Sequence, residues 1–135
     1  MRLWHVDIIP YLPKSQLIAQ WRELNSIFKK QDKHILINYI YSYSREYLWC
    51  YTQIVLNEMR NRCFEIKSWD NYNNCFTNVN PHKFDLRYTE HNNDYLTICY
   101  YNLMEKYLRG QKDFTDDVMW RLNEFYNKRR KDNGN

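Results

Sequence analysis

Glycine and proline are scarce: the 135 residues hold only Gly110 and Gly134, with prolines at Pro10, Pro13 and Pro81. A chain so poor in turn formers leans toward helix. Apolar runs are equally short. Nothing approaches the roughly twenty consecutive apolar residues of a membrane helix, and the Met-Arg-Leu-Trp start lacks a signal peptide's apolar stretch. A soluble, cytoplasmic protein with no membrane partner is expected. Cys50, Cys63, Cys75 and Cys99 are widely spaced without a C-x-x-C pair, and His5, His34, His82 and His91 make no ligand pattern. Neither a zinc site nor a disulfide frame is signalled, so no metal and no small-molecule cofactor is expected. A nucleophile elbow, a phosphate loop and a paired-carboxylate signature are also missing.

What is present fits one compact domain spanning residues 1–135, long enough to bury a core without staples. The formal charge of +4 is mild and favours polyanionic partners without proving them. The densest basic cluster is Lys128-Arg129-Arg130-Lys131, with Arg121 two helical turns upstream. It has two readings, a solvated helix end complementing the helix dipole or a DNA contact. Aromatic residues make up 18% of the chain, so most of them must be core, although some could stack on bases.

Along the chain, Pro10 and Pro13 argue against an early helix and for an extended arm held against the core by Trp4, Ile8 and Ile9. Leu17, Trp21, Leu24 and Phe28 then recur at helical spacing, predicting a first helix from Pro13–Ser15 to Lys30. On its wheel Gln16, Gln20 and Glu23 fall on one flank of the apolar stripe. Glu23 therefore sits at the border of core and solvent, where partial burial raises a carboxyl pKa.

The periodicity of residues 31–46 is ambiguous and leaves that connection open. A second helix over 45–62 carries Leu48, Tyr51, Val55 and Met59 on one face. Residues 68–93, rich in Asn and Asp, read as an extended loop with room for short helical turns. A third helix starts at Asn93 or Asp94 and stops at Gly110, and a fourth starts with Thr115 as its cap and buries Val118, Leu122, Phe125 and Tyr126. The expected fold class is all-α, a helical bundle with the N-terminal arm docked against its core.

Met1-Arg2-Leu3-Trp4, followed by Leu12, Leu17 and Trp21-Arg22-Glu23-Leu24, resembles the opening of the pyrimidine-dimer DNA glycosylases, the family of phage endonuclease V, and particularly its bacterial branch. Weaker similarity runs through Asn57 to Phe64, Tyr88 to His91 and Leu103 to Lys106, so that the resemblance spans roughly residues 1–108. It implies a DNA-repair glycosylase with coupled AP-lyase activity on damaged double-stranded DNA, working through an imine formed by the N-terminal amine.

The implied catalytic residues are Met1, as the amine nucleophile, and Glu23, as the carboxylate that stabilises the cationic sugar. Arg2, Arg22 and Lys106 are the implied phosphate contacts. An α-amine suits the role because it titrates about 2.5 pH units below lysine. Arg2 is too large a second residue for the usual removal of an initiator Met, so Met1 itself would offer the amine. For His91 and for Lys33-His34 two readings stand, a DNA contact or a hydrogen-bonded structural histidine. Gln16, Ser26 and Asn102 stand where the phage enzymes carry a histidine and two arginines. The competing reading is a non-catalytic helical module, binding nucleic acid or protein on the same scaffold.

Overall fold

The computed structural model describes residues 1–80 and 85–132, and Pro81 and Gly134 lie outside them. Among the described residues there are five α-helices: α1 Lys14–Lys30, α2 Arg45–Asn61, α3 Asp70–Cys75, α4 Asn93–Leu108 and α5 Asp116–Asp132. Two 3₁₀ segments, Val6–Tyr11 and Asn38–Ser42, precede α1 and α2, and no strand is present among the described residues. The chain is all-α.

The arm is wound tighter than its prolines imply. Val6–Tyr11 is a 3₁₀ helix with Pro10 inside it, where an extended strip was expected. The His5 side chain starts the turn by accepting the Asp7 N–H at 3.1 Å. So short a helix needs few backbone donors, and a proline near its end costs it little. The arm is core material: Leu3, Trp4, His5, Val6, Ile8, Ile9 and Leu12 are all buried, with the 3₁₀ segment packed against α2, α4 and α5. Full burial of each such aliphatic side chain contributes about 1.5–3 kcal/mol, enough to hold a segment that chain ends normally leave loose.

Helix α1 lacks an acidic first turn of its own, and the chain supplies one from a distance. Asp113, in the loop before α5, accepts the Ser15 backbone N–H at 2.6 Å and the Ser15 hydroxyl at 3.0 Å. That carboxylate offsets the exposed N–H groups and the positive dipole end. At the other end Gln31 takes a left-handed conformation at φ 51° and donates its N–H to the Ile27 carbonyl. Leu17, Leu24, Ile27 and Phe28 are buried, while Trp21 is half-buried against the Trp69 and Phe28 rings.

Two helices end in the same closure. After α4, Gly110 at φ 84° donates to Tyr107 and Gln111 donates to Lys106, the paired bonds of a Schellman motif. After α2, Cys63 donates to Arg60 and Phe64 to Met59, with Cys63 itself at φ 62° where glycine is usual. Asn92 caps α4 by accepting the Tyr95 N–H at 2.9 Å, and Thr115 accepts the Val118 N–H at 3.4 Å. Asp7 ties the arm to the rest through Arg87 at 2.6 Å and Arg129 at 2.9 Å. No helix among the described residues is long and apolar enough to cross a membrane.

Candidate active site

Gln20 organises the first residues of the chain. Its side chain is completely buried. The amide oxygen accepts the Trp4 N–H at 2.8 Å and lies 3.1 Å from the Tyr51 hydroxyl, while the amide nitrogen donates to the Arg2 carbonyl at 3.1 Å. The same nitrogen reaches the Glu23 carboxylate at 3.4 Å. Tyr51 and Tyr95 donate to the Trp4 and Leu3 carbonyls at 2.7 and 2.5 Å. Three successive backbone carbonyls of the arm are therefore held by side chains from α1, α2 and α4, which fixes where the chain's first nitrogen lies.

Met1, Arg2, Glu23, Asn102 and Lys106 line one cleft of about 190 Å³. Met1 is 37% exposed. Burial pushes the Glu23 carboxyl above its ordinary value. The terminal ammonium, a hydrogen bond from the Arg2 backbone N–H, and the Arg22 and Arg2 guanidinium groups pull in the opposite direction without cancelling it. The border position on the α1 wheel has the effect expected from sequence, and the amine's charge is felt by the carboxylate.

The other expected residues divide between the cleft and elsewhere. Lys106 reaches the cleft from α4, one turn after Asn102, whose amide donates to the Ile98 carbonyl at 2.8 Å. Arg2 is half-buried, with its guanidinium 5.8 Å above the Trp4 ring and 5.9 Å above Tyr95. Arg22 is exposed but turns to the other side of α1, onto a groove of about 670 Å³ with Trp21, Phe64, Cys63 and Lys67. Gln16 lines the cleft and donates to Gln111 at 3.0 Å.

His91 is not brought to the cleft. Its Nδ1 accepts the Val6 N–H at 3.0 Å and its Nε2 meets the Tyr39 hydroxyl at 2.7 Å, among the rings of His5, Tyr51, Tyr88 and Tyr95. Because Nδ1 accepts, the neutral ring carries its proton on Nε2. Burial, with repulsion from His5, pushes its pKa down to about 3. A ring with both nitrogens engaged and no charge at neutral pH is a structural group, so His91 leaves the set of DNA contacts. The basic run at Lys128–Lys131 lies on α5, where Arg129 is committed to Asp7.

Two participants escaped sequence reading. Gln20 looked like one more polar residue on the flank of α1, with no signal in its type or spacing to mark it as the anchor. Leu36, in the stretch whose periodicity is ambiguous, forms part of the cleft wall.

The helical fold thus brings Met1, Arg2 and Lys106 into one cleft with the half-buried Glu23 carboxylate. The sequence model of the pyrimidine dimer DNA glycosylases matches residues 1–71, just over half of the 135, and the chain belongs to that family of DNA-repair enzymes. No curated protein and no solved structure matches it. The matched segment carries the arm, α1 and α2, and hence Met1, Arg2, Arg22 and Glu23. Lys106 and Asn102 lie beyond it.

Proposed function

We propose that the protein is a DNA glycosylase with coupled AP-lyase activity, acting on ultraviolet-induced pyrimidine dimers or a related base lesion in duplex DNA. The observation that carries this reading is the terminal amine and the desolvated Glu23 carboxylate in one cleft. The neutral Met1 amine attacks C1′ of the damaged nucleotide, forming a nitrogen–carbon bond as the base leaves with the glycosidic electron pair. Opening of the sugar ring then gives a protonated imine. Glu23 stabilises the cationic sugar and the imine, and it takes the C2′ proton whose loss expels the 3′ phosphate. A carboxyl with a raised pKa is suited to holding that proton for a short time and releasing it.

Arg2 and Lys106 hold phosphates at the cleft, and Arg22 holds the strand on the far side of α1. Family membership supports DNA as the substrate. The test is borohydride reduction during incubation with an abasic-site duplex. A covalent adduct mapped to the Met1 nitrogen by peptide mass spectrometry is expected, together with its loss when a tag is fused ahead of Met1. An adduct of unchanged yield with the tagged protein would remove the amine assignment.

A further inference from the structure

The connection between α1 and α2 carries two apolar side chains that the fold does not use. Ile35 is 86% exposed and Leu36 40% exposed, while Ile37 beside them is fully buried. Single exposed aliphatics are ordinary on a protein surface, so exposure alone decides nothing. Three further observations concern this pair in particular.

First, the turn is built to hold its shape. The His34 carbonyl accepts both the Ile37 and Asn38 N–H groups at 2.9 Å, His34 Nδ1 accepts the Leu36 N–H at 3.2 Å, and Asn38 Oδ1 accepts the His34 N–H at 2.8 Å. With Ile37 as its buried anchor, the turn presents its two neighbours outward on a fixed base. Second, Leu36 forms part of the same cleft wall as Met1 and Glu23, which puts Ile35 at the rim of the site. Third, Lys29, Lys30 and Lys33, all exposed, precede the pair within a few residues. An apolar tip flanked by cations fits a duplex, whose stacked base faces are apolar and whose outside is lined with phosphates.

We propose that Ile35 and Leu36 are a wedge that enters the base stack beside the lesion and opens the duplex for the terminal amine. This rests on the reading of the protein as a DNA-repair glycosylase. Apolar side chains driven between base steps partly unstack and kink DNA, and the flanking cations hold the backbone while they do so. Enzymes that act on one nucleotide must supply the cost of taking it out of the stack. Of the pair, Ile35 supplies the free tip and Leu36 joins that tip to the reaction centre.

The experiment uses a duplex with one pyrimidine dimer and a 2-aminopurine at the neighbouring base step. Unmodified protein should raise the 2-aminopurine emission severalfold at saturation. Ile35→Ser should leave it near the free-duplex level, and Ile35→Phe should restore it. The side chain is almost wholly in solvent, so a circular dichroism spectrum like that of the unmodified protein should accompany both variants. In cleavage, Ile35→Ser should lose on the order of tenfold more rate on the duplex than on the same lesion in a single strand, where no opening is required. Equal brightening by Ile35→Ser and the unmodified protein, or a duplex that stays dark with both, overturns the wedge. If the unmodified protein brightens the probe yet forms no borohydride adduct with an abasic site, the wedge holds and the imine mechanism falls.

Discussion

The Gln20 amide oxygen accepts the Trp4 backbone N–H at 2.8 Å, sixteen residues back along the chain and away from solvent. With the Gln20, Tyr51 and Tyr95 bonds to the arm's carbonyls, this bond makes a chain end a fixed part of the cleft. Gln20→Leu keeps the volume but leaves the Trp4 N–H and the Arg2 carbonyl without their partner. Stranded buried polar groups of this kind cost about 1–3 kcal/mol each. The variant should denature at lower urea than the unmodified protein, and its residual folded fraction should form the imine more slowly. A cleavage rate unaltered per folded molecule would mean that the arm holds its place without Gln20.

Glu23→Gln removes a charge and keeps the shape. Because the carboxyl is half-buried and raised in pKa, its neutral substitute should not disturb folding. The cleavage rate on a damaged duplex should fall by roughly 10²–10⁴-fold, the usual worth of a positioned acid–base group. Duplex affinity should fall much less. Single-turnover cleavage with a parallel binding titration separates the two effects.

Acid should weaken the fold before it reaches ordinary carboxylate pH. An unfolded His91 titrates near 6.5, and in the folded protein burial and His5 lower it to about 3. Within that window the unfolded chain binds a proton that the native chain refuses, so stability drops as pH falls, by about 1.4 kcal/mol per pH unit at most. Burial lowers His5 as well, adding in the same direction. Burial would raise Asp7, but hydrogen bonds from Arg87 and Arg129 outweigh it and hold the carboxyl below its ordinary value. Its contribution is therefore full above that value and fades below it. Urea titrations at pH 7 and pH 4.5 should differ in midpoint, and His91→Asn, which can still accept the Val6 N–H, should be weaker at pH 7 with a flatter pH response.

The paired helix closures give opposite expectations. Nothing lies within 4 Å of a side-chain carbon built on Gly110, so Gly110→Ala should be destabilising through its left-handed backbone alone, by about 1–2 kcal/mol. At Cys63, with φ 62°, replacement by glycine should relieve similar strain, less the entropy glycine adds to the unfolded chain. Melting curves of the two variants should move apart from that of the unmodified protein.

The helices that sequence revealed are those whose apolar spacing is long and regular. Leu48, Tyr51, Val55 and Met59 are all buried where the wheel of α2 puts them, and Gly110 ends α4 as its type suggests. The 3₁₀ turn at Val6–Tyr11 was hidden because its prolines argue against helix and it spans too few residues for a period to emerge. The six-residue α3 falls in the Asn-rich stretch where the sequence leaves room for short helical turns without placing them. For the site, the pairing of Met1 with Glu23 could be inferred only through the resemblance, since 22 residues separate them. His91 could not be sorted by type, because a contact to phosphate and a contact to Val6 ask for the same imidazole. Its burial between the arm and α2 decided the matter.

Of the four cysteines, Cys50, Cys75 and Cys99 are buried and Cys63 alone is open to solvent. It stands on the groove that also holds Arg22, on the opposite side of α1 from Glu23. A maleimide fluorophore should therefore attach at one position without any engineered substitution. Its emission would report the approach of DNA to the back of α1 in real time, independently of turnover.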